Sequence, residues 1–225
     1  DNLRRFLDII RSSRCHVAEY DLLCRSSTEA LDDHRLEFAL RVEVFLLLRL
    51  IDEVQTGWCR TGAVMSYMNY GIKPDIVSMA KGLGGGMPIG AICATEEVAK
   101  AFTPGSHGTT FGGHPVSCAA AYAEVGELLD RDLAGNAKKM GDYFSEKLAK
   151  MPHVKEVRHQ GLLVGVEFDD AVSGVEVKHA CLDRKLLITA IGAHTIRMVP
   201  PLIVNEEQCD KAVEIITEAV EAVAK

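Results

Sequence analysis

Short apolar runs bounded by glycine, proline or acidic residues alternate with longer amphipathic stretches along most of the chain. The runs near residues 44–52, 75–79 and 89–94 predict buried strands, because strands are short and turn residues punctuate them. Pro115 opens a helical pattern that continues to about Lys150, and proline is well tolerated in a first helical turn. Strands interleaved with helices in this part predict an α/β fold with a parallel sheet.

After residue 150 the pattern changes to shorter elements that follow one another closely. The predicted elements are strands at 155–159, 162–168, 186–190 and 195–198, and helices at 174–185 and 206–223. The last of these helices is amphipathic, with one apolar face for a core. This mixture predicts a small α+β C-terminal domain over residues 151–225.

Residues 1–50 differ in composition from the rest of the chain. They contain no glycine, proline or lysine, although the whole chain has 19 glycines and 7 prolines. Without helix breakers, residues 1–41 predict a helix. Their enrichment in arginine, leucine and serine, the residues with the most codons, is what a shifted reading frame would give. We therefore treat residues 1–43 as an atypical leader, distinct from a first structured domain over residues 44–150.

Composition and charge narrow the class of protein. The chain has 225 residues, of which 48% are hydrophobic and 25% charged, enough for one or two domains with a core. The net charge is −7 with acids and bases interspersed, which favours neither nucleic acid nor an anionic membrane as a partner. Seven scattered cysteines, without a Cys-x-x-Cys pair, indicate reduced thiols in a cytoplasmic protein and no zinc site. No apolar stretch approaches transmembrane length.

Two polar residues at the ends of predicted strands suggest chemistry. Lys81 follows an apolar run and precedes a glycine-rich loop, and Asp52 ends another apolar run. A nucleotide-binding P-loop is excluded, because there the lysine follows the glycines and a hydroxyl residue comes next. A lysine that forms a Schiff base and a carboxylate that holds a pyridinium nitrogen are the groups that pyridoxal phosphate requires. Alone, either residue would more often be a solvated lysine or a helix-capping acid.

An ordered series of segments distinguishes between these interpretations. The segments are Asp52–Gly62, Pro74–Ile76, Ala80–Gly82, His107–Pro115 and Ile196–Leu202. In order and spacing they resemble class III aminotransferases of fold type I, most closely the acetylornithine and ornithine aminotransferase group. The resemblance runs from about Leu50 to the C-terminus. Two positions depart from the pattern, since Cys59 stands where a small residue, often glycine, is usual and His114 where asparagine is common.

The resemblance implies a set of cofactor contacts. Lys81 would form the Schiff base with pyridoxal phosphate and later move a proton during the reaction. Asp52 would pair with the pyridine nitrogen, and Gln55 would contact the ring hydroxyl. Glu53 and Val54, which lie between Asp52 and Gln55 in the sequence, would also contact the cofactor.

Three further residues take roles on the substrate side. By the same resemblance, Thr109 would contact the substrate, and Thr110 would reach across a homodimer interface to the partner's phosphate. Arg197 would pair with a carboxylate near the substrate entrance. The alternative is that Arg197 is a structural residue whose guanidinium is hydrogen-bonded at the edge of a strand.

The resemblance also implies the fold and the reaction. The chain would be the C-terminal portion of such an enzyme: residues 44–150 would be part of the pyridoxal-phosphate-binding large domain with a mainly parallel sheet, followed by the small domain. The reaction would be transamination of acetylornithine, or a related ω-amino compound, with 2-oxoglutarate in arginine and ornithine metabolism. Two alternatives stay open: a truncated, non-catalytic remnant, and another fold type I enzyme such as an aminomutase or a decarboxylase.

One expectation concerns the chain by itself. The leader contains no recognisable loop of the kind that holds the cofactor phosphate, so residues 1–50 are not expected to form the family's substrate-side domain. We therefore expect the isolated chain to bind pyridoxal phosphate weakly and to transaminate negligibly.

Overall fold

The computed structural model describes residues 15–18 and 48–224. These residues form eight strands, five α-helices and two short 3₁₀ helices at Ser66–Tyr70 and Lys81–Gly84. The strands are β1 Cys15–Ala18, β2 Leu50–Asp52, β3 Ile76–Met79, β4 Ala91–Thr95, β5 Val154–Gln160, β6 Leu163–Phe168, β7 Thr189–Ile191 and β8 Thr195–Met198. The helices are α1 Glu96–Ala99, α2 Pro115–Asp130, α3 Leu133–Leu148, α4 Gly174–Asp183 and α5 Glu206–Val223. Among the described helices, none combines the length and apolarity needed to cross a membrane.

Most of the atypical leader lies outside the described residues, and with it most of the helix predicted for residues 1–41. The exception is β1, which pairs antiparallel with β4 and places Cys15 opposite Thr95. The helix prediction is therefore wrong for Cys15–Ala18. The main-chain hydrogen bonds that β4 offers along its edge outweigh the weak local preference of four residues.

The first sheet has the strand order β1-β4-β3-β2. Its β2 and β3 are parallel, with Asp52 opposite Ser78, whereas β3–β4 and β1–β4 are antiparallel. Within the described residues this sheet is mixed, and the expectation of a mainly parallel sheet needs correction. The reason is the short connection between β3 and β4, which is too short for the crossover helix that parallel strands need.

The helix predicted from Pro115 to Lys150 is two helices. It breaks at Arg131 and Asp132, where Asp132 takes a left-handed conformation with φ of 47°. The Asp132 side chain then accepts a hydrogen bond from the Gly135 amide, which satisfies a free donor in the first turn of α3. Apolar periodicity continues across the break, although Asp132 and Gly135 beside it are poor helix formers.

The second sheet is antiparallel throughout, in the order β5-β6-β8-β7. Its buried side chains meet those of α3, α4 and α5 in one core, with Phe168, Ile196 and Ile216 fully buried. The elements predicted after residue 150 are all present, although β7 begins later than the predicted run at 186–190. Because α3 contributes to this core from Ala137 onward, whereas Leu133 packs in the other core, core membership divides the chain within the first turn of α3. The domain prediction divides it at residue 150.

A second core, the N-terminal core, contains Trp58, Val77 and Val125. It meets the core of the second sheet, the C-terminal core, where three main-chain segments touch. A Cβ on Gly141 of α3 would lie 2.1 Å from the Gly161 carbonyl oxygen, and one on Gly161 would lie 2.6 Å from the Arg60 carbonyl oxygen. The Leu162 amide donates to that Arg60 carbonyl at 3.0 Å. We call this contact of Arg60, Gly141 and Gly161 the joint. Only glycine fits at two of its three positions.

Candidate active site

Asp52 ends β2 with its carboxylate held in one orientation. Its Oδ1 accepts hydrogen bonds from the Val54 amide at 2.8 Å and from the Ser78 hydroxyl at 3.2 Å. Its Oδ2 accepts none from the described residues, and the side chain is exposed. Ser78 lies opposite Asp52 in the parallel register. Sequence reasoning missed Ser78, because nothing in the sequence shows which residues of two parallel strands face each other.

Glu53 has a different environment from its neighbour. Its side chain is fully buried, with Oε1 accepting from the Tyr67 amide at 2.8 Å and Oε2 from the Thr56 hydroxyl at 2.6 Å. Both bonds stabilise the turn that follows β2. The carboxylate lines none of the cavities described below, and its predicted cofactor contact stays a prediction.

A cavity of about 670 Å3 lies in front of Asp52. Thr109 and His114 line it together with Asp52, Ser78 and Ala80. Thr110, the next residue after Thr109, is exposed. The structure therefore brings the predicted substrate threonine and the predicted ring-binding carboxylate to one cavity. It also brings His114, one of the two departures from the family pattern, to the same wall.

Lys81 lines a second cavity of about 530 Å3 together with Val54 and Gln55. The lysine is exposed, makes no ion pair with the described residues, and has a φ of 45°. This left-handed conformation is costly for a residue with a side chain, and such strain is often found at functional sites. Ala80 lines the Asp52 cavity and Lys81 lines this one, so the two predicted catalytic residues face different cavities.

The turn between Asp52 and Arg60 contains two more left-handed residues, Trp58 with φ of 56° and Cys59 with φ of 69°. The conformation explains why glycine is usual at position 59 in the pattern, since glycine adopts it without strain. Burial, and after it the charge of Asp132, raises the pKa of the Cys59 thiol to about 11. The thiol is therefore neutral at physiological pH and is unsuited to a nucleophilic role.

Arg197 lies on β8 and lines a third cavity of about 420 Å3. Its Nε is buried and has no hydrogen-bond partner among the described residues. A buried donor without a partner is rare and calls for a ligand or another explanation. Val199 and Pro201, which follow β8, line both this cavity and the Lys81 cavity.

Arg60 was not predicted as a site residue, yet it connects these parts. Its Nη1 donates to the Pro200 carbonyl at 2.6 Å and to the Leu162 carbonyl at 3.1 Å. Burial lowers the pKa of the guanidinium. The partners lie 102 and 140 residues away in sequence, and no local pattern could have indicated them.

The sequence matches the family described as aminotransferase class-III over residues 39–220. The chain belongs to the class-III aminotransferase family. The acetylornithine aminotransferase of Methanothermobacter thermautotrophicus is 44% identical over 184 residues, which cover 80% of this chain and 46% of that protein. That of Aquifex aeolicus is 44% identical over 172 residues, covering 76% of this chain and 44% of the relative.

Solved structures of class-III aminotransferases share the fold. An ornithine δ-aminotransferase from Plasmodium falciparum has a TM-score of 0.75 and 34% identity, over 85% of this chain and 51% of its own. The ornithine aminotransferase from Toxoplasma gondii, in which pyridoxal phosphate partly occupies the active site, has a TM-score of 0.73 and 32% identity, over 84% and 45%. The fold is accordingly part of a fold type I aminotransferase. The chain spans about half the length of the relatives it matches.

Class-III aminotransferases use pyridoxal phosphate, and the described residues fit part of that cofactor. Asp52 offers an oxygen without a hydrogen-bond partner at the mouth of a cavity, at a fixed orientation. Lys81 and Gln55 line the second cavity with polar groups that bond to no described residue. These groups suit a ring nitrogen, an aldehyde carbon and a ring hydroxyl, respectively.

Proposed function

We propose that this chain carries the lysine, the ring-binding carboxylate and the carboxylate-binding arginine of a pyridoxal-phosphate aminotransferase. The proposed reaction transfers an amino group from acetylornithine, or a related ω-amino compound, to 2-oxoglutarate. The observation that carries the proposal is the fixed carboxylate of Asp52, which faces an open cavity beside the strand that leads to Lys81. The names of the acetylornithine aminotransferase relatives support this substrate class.

The cofactor-side roles follow from the chemistry of each group. Pyridoxal phosphate, when bound, supplies an electron sink for negative charge that develops at the substrate carbon carrying the amino group. Asp52 holds the proton on the pyridine nitrogen, because its Oδ2 accepts no other hydrogen bond from the described residues. The Lys81 amine would hold the cofactor and move the proton at the substrate carbon that carries the amino group. Gln55 donates to the ring hydroxyl, with Val54 beside it.

The substrate side depends on Arg197 and Thr109. The buried, unpartnered Nε of Arg197 supports a role in binding a carboxylate of 2-oxoglutarate, since a guanidinium and a carboxylate form paired hydrogen bonds. Thr109 contacts the substrate in the Asp52 cavity. An aminomutase or a decarboxylase has less need for such an arginine, and we therefore favour transamination with a dicarboxylate partner.

Thr110 supports a homodimer in this proposal. It is exposed, and a hydroxyl at this position is useful where it meets the phosphate bound by a neighbouring subunit. A twofold interface is also the commonest oligomer geometry. Light scattering at micromolar concentration checks this, and a strict monomer would contradict it. The cytoplasmic location stays a prediction, because the relatives include an acetylornithine aminotransferase from Alnus glutinosa that is mitochondrial.

Borohydride reduction in the presence of pyridoxal phosphate tests the lysine. Peptide mapping should find the pyridoxyl group on Lys81. Two other exposed lysines of the same region, Lys73 and Lys100, serve as internal controls. Labelling on either of them instead of Lys81 would refute the assignment.

A second experiment separates the enzyme from a non-catalytic remnant. Asp52→Ala should leave the fold intact, because the side chain is exposed, and should abolish turnover in any active form of the protein. The charge-assisted hydrogen bond it removes is worth about 1.5–3 kcal/mol. Full activity of Asp52→Ala would contradict the role. If the unchanged chain is labelled at Lys81 but shows no turnover, the result favours a non-catalytic remnant. The exposure of Asp52 and Lys81 in the structure favours the same interpretation.

A further inference from the structure

Arg60 lies between two parts of the proposed active site. It follows the turn that carries Val54 and Gln55, and its guanidinium donates to the Pro200 carbonyl at 2.6 Å. Pro200 lies two residues after the end of β8, the strand that holds Arg197, and it lines the Arg197 cavity. One side chain therefore connects the Lys81 cavity with the Arg197 cavity.

The contacts around Arg60 hold it from more than one direction. Its Nη1 also donates to the Leu162 carbonyl at 3.1 Å, and its own carbonyl accepts from the Leu162 amide at 3.0 Å. Gly161 lies so close that a Cβ there would be 2.6 Å from the Arg60 carbonyl oxygen. The main chain of Arg60 is thus fixed by the joint while its guanidinium reaches onward to Pro200.

The segment that Arg60 holds forms a shared wall. Val199 and Pro201 line both the Lys81 cavity and the Arg197 cavity. A displacement of Pro200 would move this wall and the end of β8 together, because Met198 and Arg197 precede it without a break. The position of Arg197 relative to Lys81 consequently depends on where Pro200 is held.

We infer that Arg60 is a positioning residue, which fixes the Arg197 guanidinium relative to Lys81 through its hydrogen bond to the Pro200 carbonyl. This inference rests on the proposed function, since it takes Arg197 as the carboxylate-binding residue. Arg60 itself lines the Lys81 cavity, and its effect on Arg197 is exerted through the hydrogen bond to Pro200. The planar guanidinium matters as well as the charge, because one nitrogen reaches two carbonyls at a fixed geometry that a lysine ammonium does not reproduce.

The test compares Arg60→Lys with the unchanged chain, using glutarate as a dicarboxylate probe in a ligand-observed NMR titration. Arg60→Lys should weaken glutarate binding about tenfold, the size expected from losing one charge-assisted hydrogen bond. Amide hydrogen exchange should become faster in the 199–202 segment. Arg60→Gln, which removes the charge, should weaken glutarate binding at least as much.

Arg184→Lys is the matched control. Arg184 is also partly buried and donates from Nη1 to a main-chain carbonyl, that of Ala180, but it lines none of the three cavities. Its substitution should leave glutarate affinity unchanged. An equal loss of affinity in Arg184→Lys would show a general effect of weakening the fold and would overturn the inference.

The remaining outcomes separate the inference from the proposed function. Faster exchange at 199–202 with unchanged glutarate affinity would make Arg60 merely structural and overturn the inference. Unchanged exchange and unchanged affinity in both Arg60 variants would also overturn it. Failure of the unchanged chain to bind glutarate, or equal binding by Arg197→Gln, would instead refute the carboxylate role of Arg197, and with it the proposed function.

Discussion

The C-terminal region, residues 133–224, contains the larger hydrophobic core, whereas several polar residues of the N-terminal region, residues 48–132, line open cavities. Of the twelve largest fully buried side chains in the described part of the chain, eleven belong to the C-terminal region. The twelfth is Glu53, a carboxylate whose two hydrogen bonds stabilise a turn. Packing of large apolar side chains is therefore concentrated in the C-terminal region, whereas the large fully buried side chain of the N-terminal region serves a turn.

The difference shows where stability and chemistry lie in this chain. Asp52, Lys81, Thr109 and Thr110 are all exposed residues of the N-terminal region. Functional groups are commonly found on loops that a packed scaffold positions. Here the scaffold is largely the other region, and the joint of Arg60, Gly141 and Gly161 is the contact that transmits its rigidity. The comparison therefore fails if the joint can be broken without affecting the site.

Removing a large core side chain should have the largest effect. Phe168→Ala should destabilise the protein by about 3–5 kcal/mol, because Phe168 is 1% exposed in the C-terminal core. The matched control is Phe111→Ala, whose ring is 79% exposed and whose loss should change stability by less than about 0.5 kcal/mol. Urea unfolding followed by circular dichroism measures both.

Trp58, the single tryptophan, provides a second signal for the same unfolding experiment. It is buried in the N-terminal core, so its fluorescence reports that region. Because the joint connects the cores, we expect Phe168→Ala to shift the fluorescence transition together with the dichroism transition. A fluorescence transition that stays in place would show two independent regions.

Breaking the joint itself should have the next largest effect. Gly141→Ala places a Cβ 2.1 Å from the Gly161 carbonyl oxygen, and neither main chain can move away easily. Overpacking of this kind should cost about 3 kcal/mol. Gly165→Ala is the control, because a Cβ on this β6 residue meets nothing closer than 3.9 Å. If Gly141→Ala does not change the free energy of unfolding, the joint tolerates an added methyl group and does not couple the two regions rigidly.

Much of the C-terminal region could be predicted from its sequence, and the reason is its local character. The helix predicted at 206–223 matches α5, and Asn205 and Gln208 form the capping box that fixes its start. Alternating burial along β6 likewise follows from the apolar pattern at 162–168. Period and caps lie within a few residues of each other, so they can be found without knowing the fold.

The site was predicted less completely, because its arrangement depends on distant contacts and on main-chain conformation. Asp52 and Lys81 could be named from their places after apolar runs, but their separate cavities depend on the turn at Ala80 and Lys81. Ser78 and Arg60 gave no local signal, since their partners are set by strand register and by contacts across the joint. The break at Asp132 was missed because apolar periodicity continues across it, although an N-cap aspartate is a common start of a helix.

Two lysines with positive φ, one in each region, allow the effects of a Lys→Gly change on stability and on labelling to be compared. Lys81 has a φ of 45° and Lys185, after α4, a φ of 67°; both are exposed. Each Lys→Gly change should stabilise the fold by about 1 kcal/mol, since glycine carries no left-handed penalty. Only Lys81→Gly should abolish pyridoxyl labelling. Thermal unfolding and peptide mapping check both, and a destabilised Lys81→Gly would show that its side chain also supports the fold.

Acid should weaken the C-terminal region, and this is the smallest expected effect. A hydrogen bond from His153 lowers the pKa of Asp169, and hydrogen bonds from Lys147 and Tyr143 lower that of Asp210. A carboxylate with a lowered pKa stabilises the fold above its unfolded pKa of about 4, and this stability is lost as pH falls through the lowered value. Because both side chains are about half exposed, solvent screening keeps the loss modest.

Urea midpoints measured between pH 6 and pH 3 test this. Asp169→Asn should flatten the decline, whereas Asp170→Asn should not, because Asp170 is exposed and makes no hydrogen bond to the described residues. The acid loss should appear in circular dichroism, to which the helices of the C-terminal region contribute most of the helical residues. If the joint transmits it, the Trp58 fluorescence midpoint falls at the same pH. A Trp58 midpoint that does not change while the dichroism midpoint falls would place the boundary between the two regions at the joint and give each its own stability.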